Sequence, residues 1–189
     1  SNLRHVDLGH GSADPMDLRH TRLEGAQFQG ANLRDAQLQG AKLRDAQLQG
    51  ANLGGADLTS TNWTAAQATA SLVKFVDLRG ATGLTQGRLS SLIGNAATLL
   101  PEVLDDGSKP VLYDRWETEP EGFEALVENL KRLGENEAET RKAYLCEDGQ
   151  KPRQVGIPLA LDADPPWGPH PPNSDEAREW VKQQESARS

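Results

Sequence analysis

A five-residue period runs through the first 83 residues of this chain, and few folds can house it. Stepping by five gives Leu3, Leu8, Ala13, Leu18, Leu23, Phe28, Leu33, Leu38, Leu43, Leu48, Leu53, Leu58, Trp63, Ala68, Val73, Leu78 and Gly83. Fourteen of these seventeen are Leu, Val, Phe or Trp, and the phase never slips. Two places before each, Ala26, Ala31, Ala36, Ala41, Ala46, Ala51 and Ala56 form an unbroken series. A helix needs apolar residues near every 3.6 positions, and a strand needs alternation. Leucine at every fifth position would wind around a straight helix by roughly 500° per step, leaving no continuous stripe, and a heptad fails for the same reason. The period suits a chain that turns a corner every five residues. Leu and the small residue two before it then point inward together, as alternate residues of an extended segment do.

The other three positions face water or form the corner. Asn32, Gln37, Lys42, Gln47, Asn52 and Asp57 precede the leucines, and Arg34-Asp35, Gln39-Gly40, Arg44-Asp45, Gln49-Gly50 and Gly54-Gly55 follow them. Gly and Asp at the second of these positions suit tight turns. One pentapeptide cannot bury its Leu alone, so successive coils must stack to close a core. That core is expected from Leu23, Phe28, Leu33, Leu38, Leu43, Leu48, Leu53, Leu58, Trp63 and Leu78. A chain with 36% hydrophobic and only 5% aromatic residues fits an interior built from small and medium side chains.

The stretch GANLRDAQLQGAKLRDAQLQGANLGGADLTS, residues 30–60, resembles the pentapeptide-repeat family, whose motif is A-(D/N)-L-x-x. The resemblance weakens towards both ends. It implies a mainly β fold, a right-handed, quadrilateral β-helix with four pentapeptides per coil and about four coils over residues 1–83. With coils at the strand spacing, the shaft would be roughly 20 Å tall. Leu3, Leu23, Leu43 and Trp63 then share one vertical stack, with Gly83 above Trp63 leaving room for the indole. Leu8, Phe28, Leu48 and Ala68 share another.

An open coil exposes backbone edges and apolar cross-section, so its end needs a cap. Residues 84–110 are expected to supply one as an α-helical C-terminal cap: Thr85 as N-cap, a run to Ile93, Gly94 as stop. GLTQGRLSSLIGNAATLLPEVL resembles the segment that closes bacterial pentapeptide-repeat proteins. Residues 111–189 read as an irregular, partly helical tail. Phe123, Leu126, Val127, Leu130 and Leu133 fall at helical spacing, with Glu early and Lys131-Arg132 late, which complements the helix dipole. A helix is expected near 119–133 and a weaker one over 135–145. Residues 147–172, rich in Pro and Gly, read as loop, and Asn173 with Glu176 gives a capping box for a short helix near 174–186.

Charge is unevenly spread. Residues 1–83 hold eight basic and eight acidic side chains, so the whole net charge of −8 falls on the remainder. No stretch of 18 apolar residues is present. The single Cys146 excludes an internal disulfide and is compatible with a reducing, cytoplasmic compartment. The opening residues Ser1 to His5 already read as repeat with no cap, which leaves two readings open: a native chain that begins upstream, with room for an anchor or signal, or an end that docks on something. His5, His10 and His20 share a repeat position but point from different sides, so they are expected to be surface corners rather than a metal site. Cys146 has no flanking His or Asp, and RGATGLTQG lacks the Walker lysine. Asp105-Asp106 and Glu147-Asp148 read as solvated loop carboxylates. No catalytic, cofactor or metal residue is therefore assigned.

The function expected is a non-enzymatic scaffold that displays rigid solenoid faces and the tail to a protein partner. Trp116, Phe123, Trp167 and Trp180 are the candidate interface residues, weighed against a role in pinning the tail to its own body. A homodimer through solenoid ends is the expected self-association, and nucleic acid is not an expected partner. The alternative is mimicry of duplex DNA, since some pentapeptide-repeat proteins bind type II topoisomerases such as gyrase that way. Mimicry needs about one negative charge per ~1.7 Å of axis, which a short, neutral solenoid bearing Arg34, Lys42, Arg44 and Lys74 does not offer.

Overall fold

The computed structural model describes residues 2–6, 8, 15–167 and 174–187, and its pentapeptides wind as four-sided coils. The middle residue of each side is bridged in parallel to the residue twenty positions on: Arg22 to Lys42, Asn62 and Thr82; Gln27 to Gln47 and Gln67; Asn32 to Asn52 and Leu72; Asp17 to Gln37, Asp57 and Asp77. Lys42 bonds the coil below, its N–H donating to Thr21 O and its O accepting from Leu23 N–H, each at 2.9 Å, while Leu43 N–H reaches up to Asn62 O. The backbone groups of each short side are thus paired without any long strand. Corners are type II turns, in which the third residue must adopt φ > 0. Ala36 N–H donates to Leu33 O at 3.2 Å and Asp35 has φ 60°.

Inside, Leu33, Leu38, Leu43, Leu48, Leu53, Leu58 and Leu78 are at most 1% exposed, as are Phe28 and Trp63. Leu23 is half-buried against the same cluster. The shaft accommodates Trp63 because its own coil is lean elsewhere, with Ala68 and Val73 in the next two inward positions. The position above it is the backbone of Gly83, where a Cβ would lie 2.7 Å from Trp63 C and 2.3 Å from Thr64 N. The buried indole N–H donates to Thr61 Oγ1 at 2.7 Å, and Thr61 in turn donates to Leu58 O.

The lowest coil departs from the expected register. Asn2 bridges Gln27 rather than Arg22, and Leu8 N–H bonds Asn32 O, whereas Asp17 bridges Gln37. Leu3 therefore lies beneath Phe28 and Leu8 beneath Leu33, not beneath Leu23 and Phe28. The offset to the coil above is thus twenty-five residues at Asn2 and Leu8 but twenty at Asp17, a register shift of one pentapeptide. A five-residue insertion leaves a five-residue phase untouched, so periodicity could not reveal it.

The helical cap expected over 84–110 is also corrected. Helix α1 is one turn, Gln86–Leu89, capped by the Thr85 hydroxyl. The segment then returns to the coil path: β2 (Leu92–Ile93) pairs in parallel with β1 (Ser71–Leu72), and in β3 (Leu99–Leu100) Leu99 bridges Asp77. These residues build a fifth coil whose glutamine side is replaced by α1. Arg88 supplies the donors that side lacks, to Ala66 O at 3.1 Å and Gly83 O at 2.7 Å. Leu84, Leu89, Leu92, Leu100 and Leu104 close the shaft from above.

The tail continues the stacking before leaving it. In β4 (Leu112–Tyr113), Tyr113 pairs in parallel with Ile93, and β5 (Gln154–Val155) adds antiparallel to β4. In β6 (Ile157–Pro158), pairing is parallel with β3. Both β5 and β6 lie in the stretch expected to be loop. Between β4 and β5 run α2 (Phe123–Arg132) and α3 (Glu137–Tyr144), the latter capped by the Asn136 side chain. The last helix, α4, spans Asp175–Ala187. The expected capping role of Asn173 lies outside the described residues.

Candidate interaction surface

Two of the four sides of the shaft are covered by the tail. On the asparagine side, α2 lies across the coils: Asn129 Nδ2 donates to Ala31 O at 3.0 Å, and Arg132 donates to His5 O at 3.2 Å. The outward position is apolar at Leu72 and Ile93, and these pack with Phe123, Leu126, Val127 and Leu130 in one buried cluster. On the aspartate side, the upper coils are held by Arg79, which is 7% exposed. Its guanidinium grips Asp77 at 2.8 Å and donates to the carbonyls of Ala160, at 3.2 Å, and Ala163. Leu99 there joins Trp167, Ala177 and Val181.

Among the described residues, the hydrogen bonds and apolar clusters that join tail to coils fall on these two sides, their corners or the upper rim. The other two sides present repeated columns. One is Gln27, Gln47 and Gln67, where Gln29 Nε2 donates to Gln47 and Gln49 Nε2 to Gln67 Oε1 at 2.8 Å. The other is Arg22, Lys42, Asn62 and Thr82, flanked by Arg19 and Arg44, and Arg22 and Lys42 are exposed. At its foot the hydrogen bonds of Arg19 hold the Asp17 carboxyl down to about 2. A parallel stack presents one outward residue per coil step of roughly 4.8 Å, so the first column offers amides at regular intervals and the second two cations below Asn62 and Thr82.

Of the four aromatics weighed as interface residues or as internal anchors, three are buried and Trp180 is half-buried. Trp116, Phe123 and Trp167 are 7%, 1% and 6% exposed. Trp116 sets its ring edge-on to Phe123 at 5.7 Å, and Trp167 stands at 6.0 Å from the half-buried Trp180. They pin the tail to the body, because burying such rings against Leu72 or Leu99 removes large apolar area from water. His5 and His20 occupy opposite corners, beneath Gly30 and Gly40, and His10 lies outside the described residues. No cluster of metal-ligating side chains occurs among the described residues. Asp105 and Asp106 are not idle: Asp105 accepts from Gly83 N–H at 2.6 Å and Asp106 from Gln86 N–H at 3.1 Å. Hydrogen bonds from the Ser108 hydroxyl and from the Gln86 and Ser108 amides lower the Asp106 pKa. Cys146 has its pKa raised, mainly by desolvation.

The uncovered columns, the inward-facing tail and the fifth coil set the context for comparison with known proteins. The family model described as pentapeptide repeats matches residues 17–46 and 46–82, in eight copies. No curated protein matches the chain. Among solved structures, a pentapeptide repeat protein from the Arabidopsis thaliana thylakoid lumen is 25% identical, with a TM-score of 0.40 over 55% of this chain and 63% of that one. HetL, a pentapeptide repeat protein involved in heterocyst differentiation regulation in the cyanobacterium Nostoc sp. strain PCC 7120, is 27% identical, with a TM-score of 0.38 over 57% and 48%. QnrB1, a plasmid-mediated fluoroquinolone resistance protein, is 19% identical, with a TM-score of 0.40 over 71% and 64%. The chain thus spans under two thirds of each of these structures.

Proposed function

We propose, from the premise that residues 17–82 of this chain are pentapeptide repeats, that it is a non-enzymatic protein-interaction scaffold. In this reading residues 1–83 form a right-handed β-helical body, 84–110 its closing segment and 111–189 the tail. The tail acts as a strap rather than as a displayed arm. The observation that carries the proposal is the contrast between sides: two are sealed by the tail, while the glutamine and cationic columns remain open. A rigid, flat array of like groups suits a partner with its own regular spacing, and rigidity lowers the ordering cost of binding. The partner is expected to meet the cationic column with carboxylates. Cations at Arg22 and Lys42 on an open side oppose the DNA-mimic alternative, which needs the reverse sign. A cytoplasmic location belongs to the same reading. No helix among the described residues is long and apolar enough to cross a membrane.

Self-association through the solenoid would use the lower end, because the upper end is covered by α1, β4 and β6. Leu3, Leu8, Leu18 and Leu23 are only half-buried there, and Met16 is 38% exposed. Light scattering showing an unchanged monomer mass from micromolar to millimolar would remove this part of the reading.

The scaffold itself is tested by affinity capture from the native host with three baits: the unaltered chain, Arg22→Glu with Lys42→Glu, and Gln27→Arg with Gln47→Arg. All three are expected to fold alike, since Arg22 and Lys42 are exposed and Gln27 and Gln47 are outward and only half-buried, which circular dichroism of each bait checks. A partner that one face variant loses and the other keeps supports the proposal. Identical capture by all three baits overturns it.

A further inference from the structure

Three corners stacked along one edge of the shaft carry Arg34, Gly54 and Lys74 at the same corner position. Asn32 bridges Asn52, which bridges Leu72, so these corners are successive coils. Two coil steps separate Arg34 from Lys74 by roughly 10 Å. Gly54 has no side chain, so a notch opens between the two cations. The tail walls it in with Leu130 of α2, Glu135 of the α2–α3 link and Tyr144 of α3, around a cavity of about 140 Å³.

Beside apolar Leu72, Phe75 and Leu130, the polar groups of the lining are mostly donors. Arg34 and Lys74 have nothing to offer but N–H groups. The Asn52 carboxamide is 7% exposed, and its Oδ1 accepts from Gly54 N–H at 3.0 Å, which leaves Nδ2 as the end available to the cavity. Lys74 Nζ sits 4.4 Å above the Tyr144 ring and 3.4 Å from its Oη. Burial pushes the Tyr144 phenol up to about 12, so the hydroxyl keeps its proton and can donate. Against these stand two carboxylates, Glu135 in the lining and Asp35, which pairs with Arg34 Nε at 3.7 Å outside it. Size narrows the ligand further. A water occupies about 30 Å³, so the cavity holds the equivalent of four or five, whereas drug-sized ligands need about 300 Å³ or more. A small polyatomic anion fits, and a nucleotide does not.

We propose that this notch binds inorganic phosphate as HPO₄²⁻, its unprotonated oxygens facing Arg34, Lys74, Asn52 and Tyr144 and its P–OH facing Glu135. The carboxylate that would repel a fully deprotonated anion accepts a hydrogen bond from one that retains a proton. Sulfate carries no proton near neutral pH, so Glu135 selects against it. The ion would tie two coils to the link between α2 and α3, fastening the tail at a place where apolar packing gives way to polar groups. This inference does not depend on the scaffold reading.

The test is calorimetric titration of the full chain with sodium phosphate and sodium sulfate in chloride buffer at matched ionic strength. Phosphate is expected to bind saturably, and sulfate at least about tenfold more weakly. Losing one charge-assisted donor in Arg34→Gln or Lys74→Gln should weaken phosphate by roughly tenfold or more. The exposed control Lys42→Gln should leave it unchanged. Glu135→Gln should erase the preference, letting sulfate bind as well as phosphate. Circular dichroism without phosphate verifies that each variant folds, and if one does not, the unaltered protein and Glu135→Gln still decide. Equal affinity for the two anions in the unaltered protein, no saturable heat with phosphate, or equal weakening by Lys42→Gln and Arg34→Gln would each overturn the proposal.

Discussion

At the scale of the residue, the shaft works by local substitutions that answer one another. Most inward small positions are Ala, but Thr61 stands two before Trp63 and supplies the acceptor that the buried indole N–H needs. Periodicity treats Thr61 as an unremarkable small residue; its pairing became visible only once both side chains were known to point inward. Thr61→Ala should therefore cost about 1–3 kcal/mol, the desolvation penalty of a stranded donor, although it deletes only a hydroxyl and one methyl group. The double variant Thr61→Ala with Trp63→Leu removes donor and acceptor together, so the loss expected of it is smaller than the sum of the two single losses. Urea denaturation of the four proteins of this cycle measures the coupling. Additive losses would show that the hydrogen bond contributes nothing.

At the scale of the element, corners and helices were legible to different degrees. The 3.6 spacing of Phe123, Leu126, Val127 and Leu130 marks α2 in the sequence, and these residues are the ones it buries. Nothing in their spacing says which side of the shaft receives them. That follows from Leu72 and Ile93 taking an outward position that is polar in the coils below, a break in pattern that could have been read. Strands β5 and β6, two residues each, are too short to carry any period. Docking of α2 can be isolated with two glycines of nearly equal backbone geometry. Gly25 and Gly50 have φ +64° and +69°, but a Cβ at Gly25 meets nothing within 4 Å, whereas at Gly50 it would lie 2.6 Å from Leu126 N and 2.8 Å from Gly122 O. Gly25→Ala should cost about 1–2 kcal/mol, the ordinary left-handed penalty. Gly50→Ala should cost clearly more and expose the tail to protease, which limited proteolysis with thermal melts can check. Equal effects would mean that α2 does not bear on that corner.

The same docking makes a pH prediction. Desolvation raises the Tyr144 phenol to about 12, with Glu135 adding to the shift. Between pH 10 and 12 the unfolded chain releases this proton while the folded chain keeps it, so the unfolded state binds fewer protons and stability must fall as pH rises. The fall attributable to Tyr144 is roughly 2–3 kcal/mol across that window. Tyr144→Phe should flatten that part of the profile measured by urea melts from pH 8 to 12. An unchanged slope in the variant would show that α3 leaves the phenol in water.

At the scale of the whole molecule, the repeats announce a solenoid but not how the solenoid is held. Coils normally touch only their neighbours, so a solenoid can open coil by coil. Here α2, ten residues long and so about 15 Å at 1.5 Å per residue, spans about three coil steps. Its contacts begin near His5 and Ala31 and reach Leu72 and Ile93. Arg79 ties the upper coils to Ala160 and Ala163 in the same lateral fashion. Such side straps were hidden in the sequence because they join residues about 100 positions apart through single side chains. They should convert a chain of neighbour contacts into one cooperative unit. Native-state hydrogen exchange is expected to give the ladder amides of Leu33, Leu53 and Val73 the same opening free energy as the α2 amides of Leu130 and Asn129, because neither set can open without uncovering the other's apolar face. In Arg79→Met the upper coils lose a buried ion pair's partner, at a cost of about 3–5 kcal/mol, yet the two sets should remain equal to each other while both fall. If the α2 amides exchange through a smaller opening while the coils stay protected, the tail is a passenger on the shaft and the strap does not exist.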